Sequence, residues 1–108
     1  MTNEKKHIRY TRQAKKFLDS LPEGVYNEFV ANFQILARDG YLEFPEGRKL
    51  FKGLFEVRVA IDGNAYRTLY CYANGDDIWV LSGFVKKTQQ TPLQEMAKAL
   101  KIKRSIGL

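Results

Sequence analysis

The sequence contains little of the chemistry on which many small enzymes rely. Its 108 residues include one cysteine, Cys71, and one histidine, His7. An intramolecular disulfide is therefore excluded, as are a zinc site built from several Cys and His residues, a catalytic Cys–His pair and a Ser–His–Asp triad. The patterns GxxxxGK[ST] and GxGxxG do not occur, which disfavours a nucleotide-binding loop. We expect neither a cofactor nor a metal ion.

Long apolar segments are missing as well. No apolar run approaches the roughly 20 residues that a membrane-spanning helix needs. The first ten residues, MTNEKKHIRY, are too polar for a secretory signal peptide. These features predict a cytoplasmic protein without a membrane partner. The length and the 44% hydrophobic content predict one domain over residues 1–108. Because Cys71 lies in an apolar segment, we expect a buried thiol rather than a nucleophile.

Positive charge is what the chain has in excess. The formal net charge is +6, and the sequence pI is about 9.5. The charge is uneven, since residues 86–108 hold five lysines and one arginine against a single acid, Glu95. Such a field concentrates polyanions, and nucleic acid is one candidate. Acidic residues are too few in the predicted sheet, where only Glu56 is available, for a metal-dependent nuclease built on several carboxylates.

The apolar pattern of the first half predicts two helices after a short strand at 7–10. The first helix is capped by Thr11 and runs to about Ser20, because its apolar residues recur at positions i, i+3, i+4 and i+7. The second has Pro22 in its first turn and ends at Gly40, a residue suited to a helix C-cap. Residues 41–50 are expected to form a loop.

The second half predicts three consecutive strands at 52–61, 65–73 and 77–85, in which apolar and polar residues alternate. Turn residues separate them at 62–64 and 74–75. A last helix follows, with Thr91 as N-cap and Gln94 completing a capping box. The order β-α-α-β-β-β-α predicts an α+β domain with an antiparallel sheet, helices packed on one face and the other face left for function.

Basic residues recur within or beside these predicted strands. Arg58 lies beside Glu56 by alternation, and either pairs with it or faces an anion. Arg67 is flanked by aromatic residues, so its five donors need an anion or carbonyl groups. Lys86 and Lys87 precede the last helix, where they form either a solvated pair or part of an anion site. Lys49 and Lys52 are expected to attract RNA backbone phosphates. Three tyrosines share one strand face, where they either pack in the core or stack on bases: Tyr66, Tyr70 and Tyr72.

Three segments together resemble a known family. They are KLFKGLFEVRV (49–59), YRTLYCY (66–72) and LSGFVKKTQQTPLQEMAKA (81–99). They are similar to the RelE/HigB toxins of bacterial toxin–antitoxin modules, in particular the phage-derived RelE-like branch, over roughly residues 8–100. The resemblance implies a RelE-like fold and a metal-independent endoribonuclease that cuts mRNA in the ribosomal A site. It also implies silencing by a co-expressed antitoxin, often a helix-turn-helix protein.

The resemblance further implies roles for individual residues. In this chemistry the ribose 2′-OH attacks the adjacent phosphate, and cations stabilise the added charge. Arg67 matches the arginine that stabilises the scissile phosphate, and Arg58 matches a basic position on the preceding strand. Lys86 and Lys87 match the basic cluster that neutralises the leaving side. Glu56 replaces a family lysine and is a possible general base. A lysine with a lowered pKa could serve instead, or the ribosomal RNA could position the 2′-OH.

Two other functions remain open on the sequence. The ParE-like branch of the same fold inhibits DNA gyrase without cutting RNA. The fold could also serve as a non-enzymatic module that binds RNA or protein. The lysine pair after the last strand and the positions of Arg58 and Arg67 favour the nuclease over the gyrase inhibitor. A neighbouring reading frame for a small helix-turn-helix protein would favour either toxin over the binding module.

Overall fold

A five-stranded mixed sheet forms the centre of the fold. The computed structural model describes residues 5–86 and 91–108. The strands are β1 (His7–Tyr10), β2 (Gly47–Lys49), β3 (Phe55–Ile61), β4 (Asn64–Tyr72) and β5 (Asp77–Lys86). Their spatial order is β1-β5-β4-β3-β2. β1 pairs parallel to β5, and the other neighbours pair antiparallel.

Two helices cover one face of this sheet, and their ends are close to the predicted ones, except that Pro22 is the N-cap of the second helix and does not lie in its first turn. α1 (Arg12–Asp19) begins after Thr11, whose side chain accepts a hydrogen bond from the Ala14 amide at 3.1 Å. α2 (Glu23–Asp39) ends at Gly40, which adopts a left-handed conformation with φ of 85°. Their apolar residues form a core with the inner residues of the strands: Ala14, Leu18, Val25, Phe29, Phe33, Leu36, Val57, Val59, Tyr66, Tyr70, Ile78 and Val80. Tyr66 and Tyr70 are thus core residues.

The last helix, α3 (Leu93–Ser105), lies on the opposite face of the sheet. Its residues Met96, Ala99 and Ile102 pack against the strand residues Leu69, Cys71 and Leu81. The predicted placement of all helices on one face is therefore wrong in this detail. The physical reason is that β4 is apolar on both faces, since Leu69 and Cys71 alternate with Tyr70, and both faces require cover. Cys71 is fully buried, as predicted.

The α+β class and the order of the long elements are confirmed, with three local differences. β2 forms within the predicted loop 41–50. β1 is parallel to its neighbour, so the sheet is not wholly antiparallel. The predicted capping box is wrong, because Pro92 and not Thr91 is the N-cap of α3, and its side chain makes no capping hydrogen bond. Among the described helices, none has the length and apolar character needed to cross a membrane.

A β-bulge in β5 changes which side chains face α3. Tyr70 pairs with Val80, whereas Leu69 pairs with Ser82, so Leu81 is the additional residue. Before the bulge, Val80 faces α1 and α2. After it, Phe84 pairs with Arg67 and Lys86 pairs with Ala65 on the α3 face. The bulge therefore moves the end of β5, including Lys86, to the same face as Arg67.

Candidate phosphate-binding site

Three basic residues from separate strands meet on the α3 face of the sheet. Arg58 of β3 lies directly opposite Arg67 of β4, and opposed residues on adjacent strands project to the same face. Lys86 of β5 joins them because of the bulge. We call Arg58, Arg67, Lys86 and Glu56 the basic cluster. The structure thus brings together three of the predicted site cations and the predicted carboxylate.

Glu56 is the buried counter-ion of this cluster. The residue is 0% exposed, and its Oε1 lies 3.8 Å from Arg58 Nε and 3.9 Å from Arg67 Nη1. Its Oε2 accepts a hydrogen bond of 2.6 Å from the hydroxyl of Thr91. Alternation predicted that Arg58 and Glu56 share a strand face, with their pairing as one alternative, whereas no sequence pattern indicated that Thr91 would join them. The carboxylate fixes the two arginines next to each other despite their like charge.

Burial and mutual repulsion lower the pKa values of two of these cations, Arg67 and Lys86. Desolvation lowers the pKa of Arg67, Glu56 opposes this shift, and Arg58 and Arg48 add to it. Desolvation also lowers the pKa of Lys86, with further lowering by Arg67, Arg58 and Arg48 and an opposing effect of Glu56. Arg67 and Lys86 are 4% and 3% exposed, respectively. A lysine in such surroundings loses its proton more readily than one in water.

A concavity of about 250 Å³ opens beside the two arginines. It is lined by Pro45, Glu46, Arg58, Val59, Ala60, Ala65 and Arg67. The Arg58 guanidinium lies 5.6 Å from the centre of the Phe44 ring, a cation–π distance. The small side chains of Ala60 and Ala65 leave room above the sheet, where a group could approach the arginines. Glu46 supplies an acidic edge to this concavity.

The remaining predicted site residues lie elsewhere or outside the described residues. Lys49 pairs with Phe55 and therefore projects to the α1–α2 face. Lys52 is exposed in the turn before β3, with its Nζ 5.8 Å from the Phe51 ring centre. Lys87 lies outside the described residues. A role of Lys49, Lys52 or Lys87 in RNA binding stays a prediction.

Arg48 is a basic residue that the sequence reasoning missed. It lies opposite Glu56 on β2 and so belongs to the α3 face, where its side chain is exposed. Its charge acts on both Arg67 and Lys86. Sequence reasoning missed Arg48 because β2 has only three residues and lies in a segment that was expected to form a loop. The alternation of Arg48 with Lys49 assigns them to opposite faces only if the segment is a strand.

This arrangement suits an anionic group such as phosphate. Arginine side chains present planar sets of N–H donors that match phosphate oxygens. Within residues 5–86 and 91–108, no three His, Cys, Asp or Glu side chains come close enough to hold a metal ion. The cluster can therefore stabilise negative charge that develops on a phosphate placed between the arginines.

Similar solved structures include a toxin and two RelE–RelB-type complexes. The E. coli toxin RelE, studied as a double mutant in the free state, aligns with a TM-score of 0.68 and 16% identity over 89% of this chain and 95% of that chain. The toxin–antitoxin complex RelBE2 of Mycobacterium tuberculosis aligns with a TM-score of 0.57 and 23% identity over 75% of this chain and 98% of that chain. The archaeal RelE–RelB complex of Pyrococcus horikoshii aligns with a TM-score of 0.57 and 22% identity over 80% of this chain and 99% of that chain. At these identities the comparison shows the fold.

Comparison with family models identifies the family of this chain, whereas a search of curated proteins finds no match. The family described as "Phage derived protein Gp49-like (DUF891)" matches residues 16–104, which include the whole basic cluster. The fold had been expected from the RelE-like resemblance, and the match spans most of the chain. The chain belongs to the phage-derived Gp49-like family and has a RelE-like fold.

Proposed function

We propose that this protein is the toxin of a type II toxin–antitoxin module and cuts mRNA in the ribosomal A site. The observation that supports this proposal best is the convergence of Arg58, Arg67 and Lys86 on one face, next to a concavity and around a buried carboxylate. The RelE-like fold and the RelE–RelB complexes among similar structures add support. In this proposal an antitoxin of the helix-turn-helix type would silence the toxin.

The reaction in this proposal is an in-line attack of the ribose 2′-OH on the adjacent phosphate. The products are a 2′,3′-cyclic phosphate and a free 5′-OH. Arg67 and Arg58 bind the non-bridging oxygens and stabilise the extra charge of the pentacovalent phosphorane. Lys87 donates a proton to the leaving 5′-oxygen, which gives the free 5′-OH. Lys49 and Lys52 contact the RNA backbone farther along the strand.

Lys86 is the proton acceptor in this scheme. Its lowered pKa increases the fraction of neutral amine near physiological pH, which is the form that takes the 2′-OH proton. Glu56 fits the role of a counter-ion better, because it is fully buried and Oε2 already accepts from Thr91. The ammonium group formed on Lys86 then faces the negative phosphorane.

Primer extension on a translated message tests the proposal. The wild-type protein should produce discrete cuts with ribosomes, and Arg67→Ala should lower the cleavage rate by about 10² to 10³. Arg38→Ala is a matched control, because it removes the same charge from an exposed residue paired with Asp39 on α2. A circular dichroism melt verifies that the variants are folded.

The other outcomes separate the remaining functions. Intact message together with inhibited DNA supercoiling would contradict the nuclease and support a gyrase inhibitor of the ParE type. RNA binding without cleavage, toxicity or gyrase inhibition would support a binding module.

A further inference from the structure

The Thr91 hydroxyl contacts a buried carboxylate rather than the backbone of α3. Thr91 Oγ1 donates to Glu56 Oε2 at 2.6 Å, and the two residues are 35 positions apart in the chain. Thr91 is itself buried. A buried hydrogen bond to a charged group is short and directional, so it fixes the orientation of the carboxylate.

This bond determines which oxygen of Glu56 faces the arginines. With Oε2 held by Thr91, Oε1 is the atom near Arg58 Nε and Arg67 Nη1. In the described part of the chain, Oε1 accepts no hydrogen bond, and Arg67 Nε is buried without an acceptor. The carboxylate therefore attracts both guanidinium groups over distances longer than a hydrogen bond. It leaves the Arg58 side chain, which is 20% exposed, open to an arriving anion.

We infer that Thr91 is a positioning residue of the basic cluster, which acts through Glu56 on Arg58 and Arg67. The inference rests on the proposed function, because fixed cations increase a rate only if a phosphate reacts beside them. Arginine has several rotatable bonds, and a fixed counter-ion limits the orientations of both guanidinium groups before the substrate binds. Thr91 does not touch the substrate in this scheme.

Thr91→Val tests the inference, because valine keeps the shape of threonine and removes the hydroxyl. Thr91→Ser restores the hydroxyl on a smaller side chain, and Thr91→Ala is a second variant without it. Thr68→Val is the matched control. Thr68 is a fully buried threonine on the α1–α2 side of β4, and its hydroxyl has no hydrogen-bond partner among the described residues.

Cleavage of ribosome-bound message by purified protein is the measurement. Thr91→Val should lower kcat about tenfold to hundredfold, the range expected when a buried charged group loses a hydrogen bond. KM should change less than about threefold, since the stabilised charge develops in the transition state. Thr91→Ser should recover most of kcat, and Thr68→Val should match the wild type. In a Glu56→Gln background, Thr91→Val should add less than about a twofold effect, because the two residues act as one unit.

Several results would overturn the inference. Wild-type kcat in folded Thr91→Val and Thr91→Ala, or a large added effect in the Glu56→Gln background, would overturn it and leave the proposed function intact. Failure of the wild type to cleave would overturn the proposed function instead. The positioning role is then decided by the Nε–H signals of Arg58 and Arg67 in NMR spectra of the free protein, which Thr91→Val must shift or broaden and Thr91→Ser must restore. Unchanged signals in Thr91→Val would overturn the inference as well.

Discussion

The replacement of Glu56 by glutamine should destabilise the fold strongly. Glutamine has nearly the same shape and still accepts a hydrogen bond from Thr91, so the change removes mainly one buried negative charge. Arg67 and Lys86, which are almost completely buried, would then repel each other and Arg58 without the opposing charge of Glu56. Removal of one partner from a buried ion pair costs about 3–5 kcal/mol.

The lower end of this range applies here for two structural reasons. The Arg58 side chain is 20% exposed, so water screens part of its charge. Both distances to Oε1 are longer than a hydrogen bond, at 3.8 and 3.9 Å. We therefore expect a loss of about 3 kcal/mol in the free energy of unfolding, relative to a typical total of about 5–15 kcal/mol.

Urea unfolding monitored by circular dichroism measures this loss. The double variant Glu56→Gln/Arg67→Met should recover part of it, because the buried positive charge is removed with its counter-ion. A double-mutant cycle gives the coupling between Glu56 and Arg67. A Glu56→Gln variant within about 0.5 kcal/mol of the wild type, the usual range for surface substitutions, would refute the view that Glu56 is a counter-ion of buried cations.

Three further predictions follow from other parts of the structure. Arg48→Ala should weaken binding of a 2′-O-methyl RNA and reduce the slope of log affinity against log salt by about 0.7, the value of one phosphate contact on single-stranded nucleic acid. An unchanged slope would show that Arg48 does not contact the RNA. The cleavage rate should rise with pH and level off as the neutral form of Lys86 accumulates through its lowered pKa, and a rate that falls with pH would show that the protonated form is needed. Gly83→Ala should cost about 1–3 kcal/mol in thermal or urea unfolding because its added Cβ would overlap the Phe17 ring, and a variant as stable as the wild type would contradict this packing.

Patterns with a short period predicted much of the fold. Thr11 and Gly40 mark the helix ends because capping depends on residues that are neighbours in sequence. Alternation placed Arg58 beside Glu56, since side chains two apart on a strand share a face. Local rules were sufficient wherever the partner was close in the chain.

The parts that sequence reasoning missed depend on distant contacts. The local sequence around Thr91 is typical of a helix N-cap, whose hydroxyl would bind the backbone of its own helix. In the structure the hydroxyl binds Glu56 instead, a residue far away in the sequence. The face on which α3 packs could not be decided from its own apolar stripe, because that stripe fits either side of a sheet. Arg48 depends on a strand of three residues, too short for any period to be detected.

The additional residue in β5 has a consequence for insertions and deletions. Leu81 and Ser82 lie opposite the single residue Leu69, so deletion of one of them would remove the bulge and leave the faces of the following residues unchanged. A one-residue deletion between Gly83 and Lys86 would instead exchange inside and outside for the remainder of the strand. Lys86 would then project to the α1–α2 face, away from Arg67. A change of length in the turn at 73–76 leaves this alternation untouched. Chains of this kind should therefore tolerate length variation before β5 and at its bulge, and reject it after Gly83.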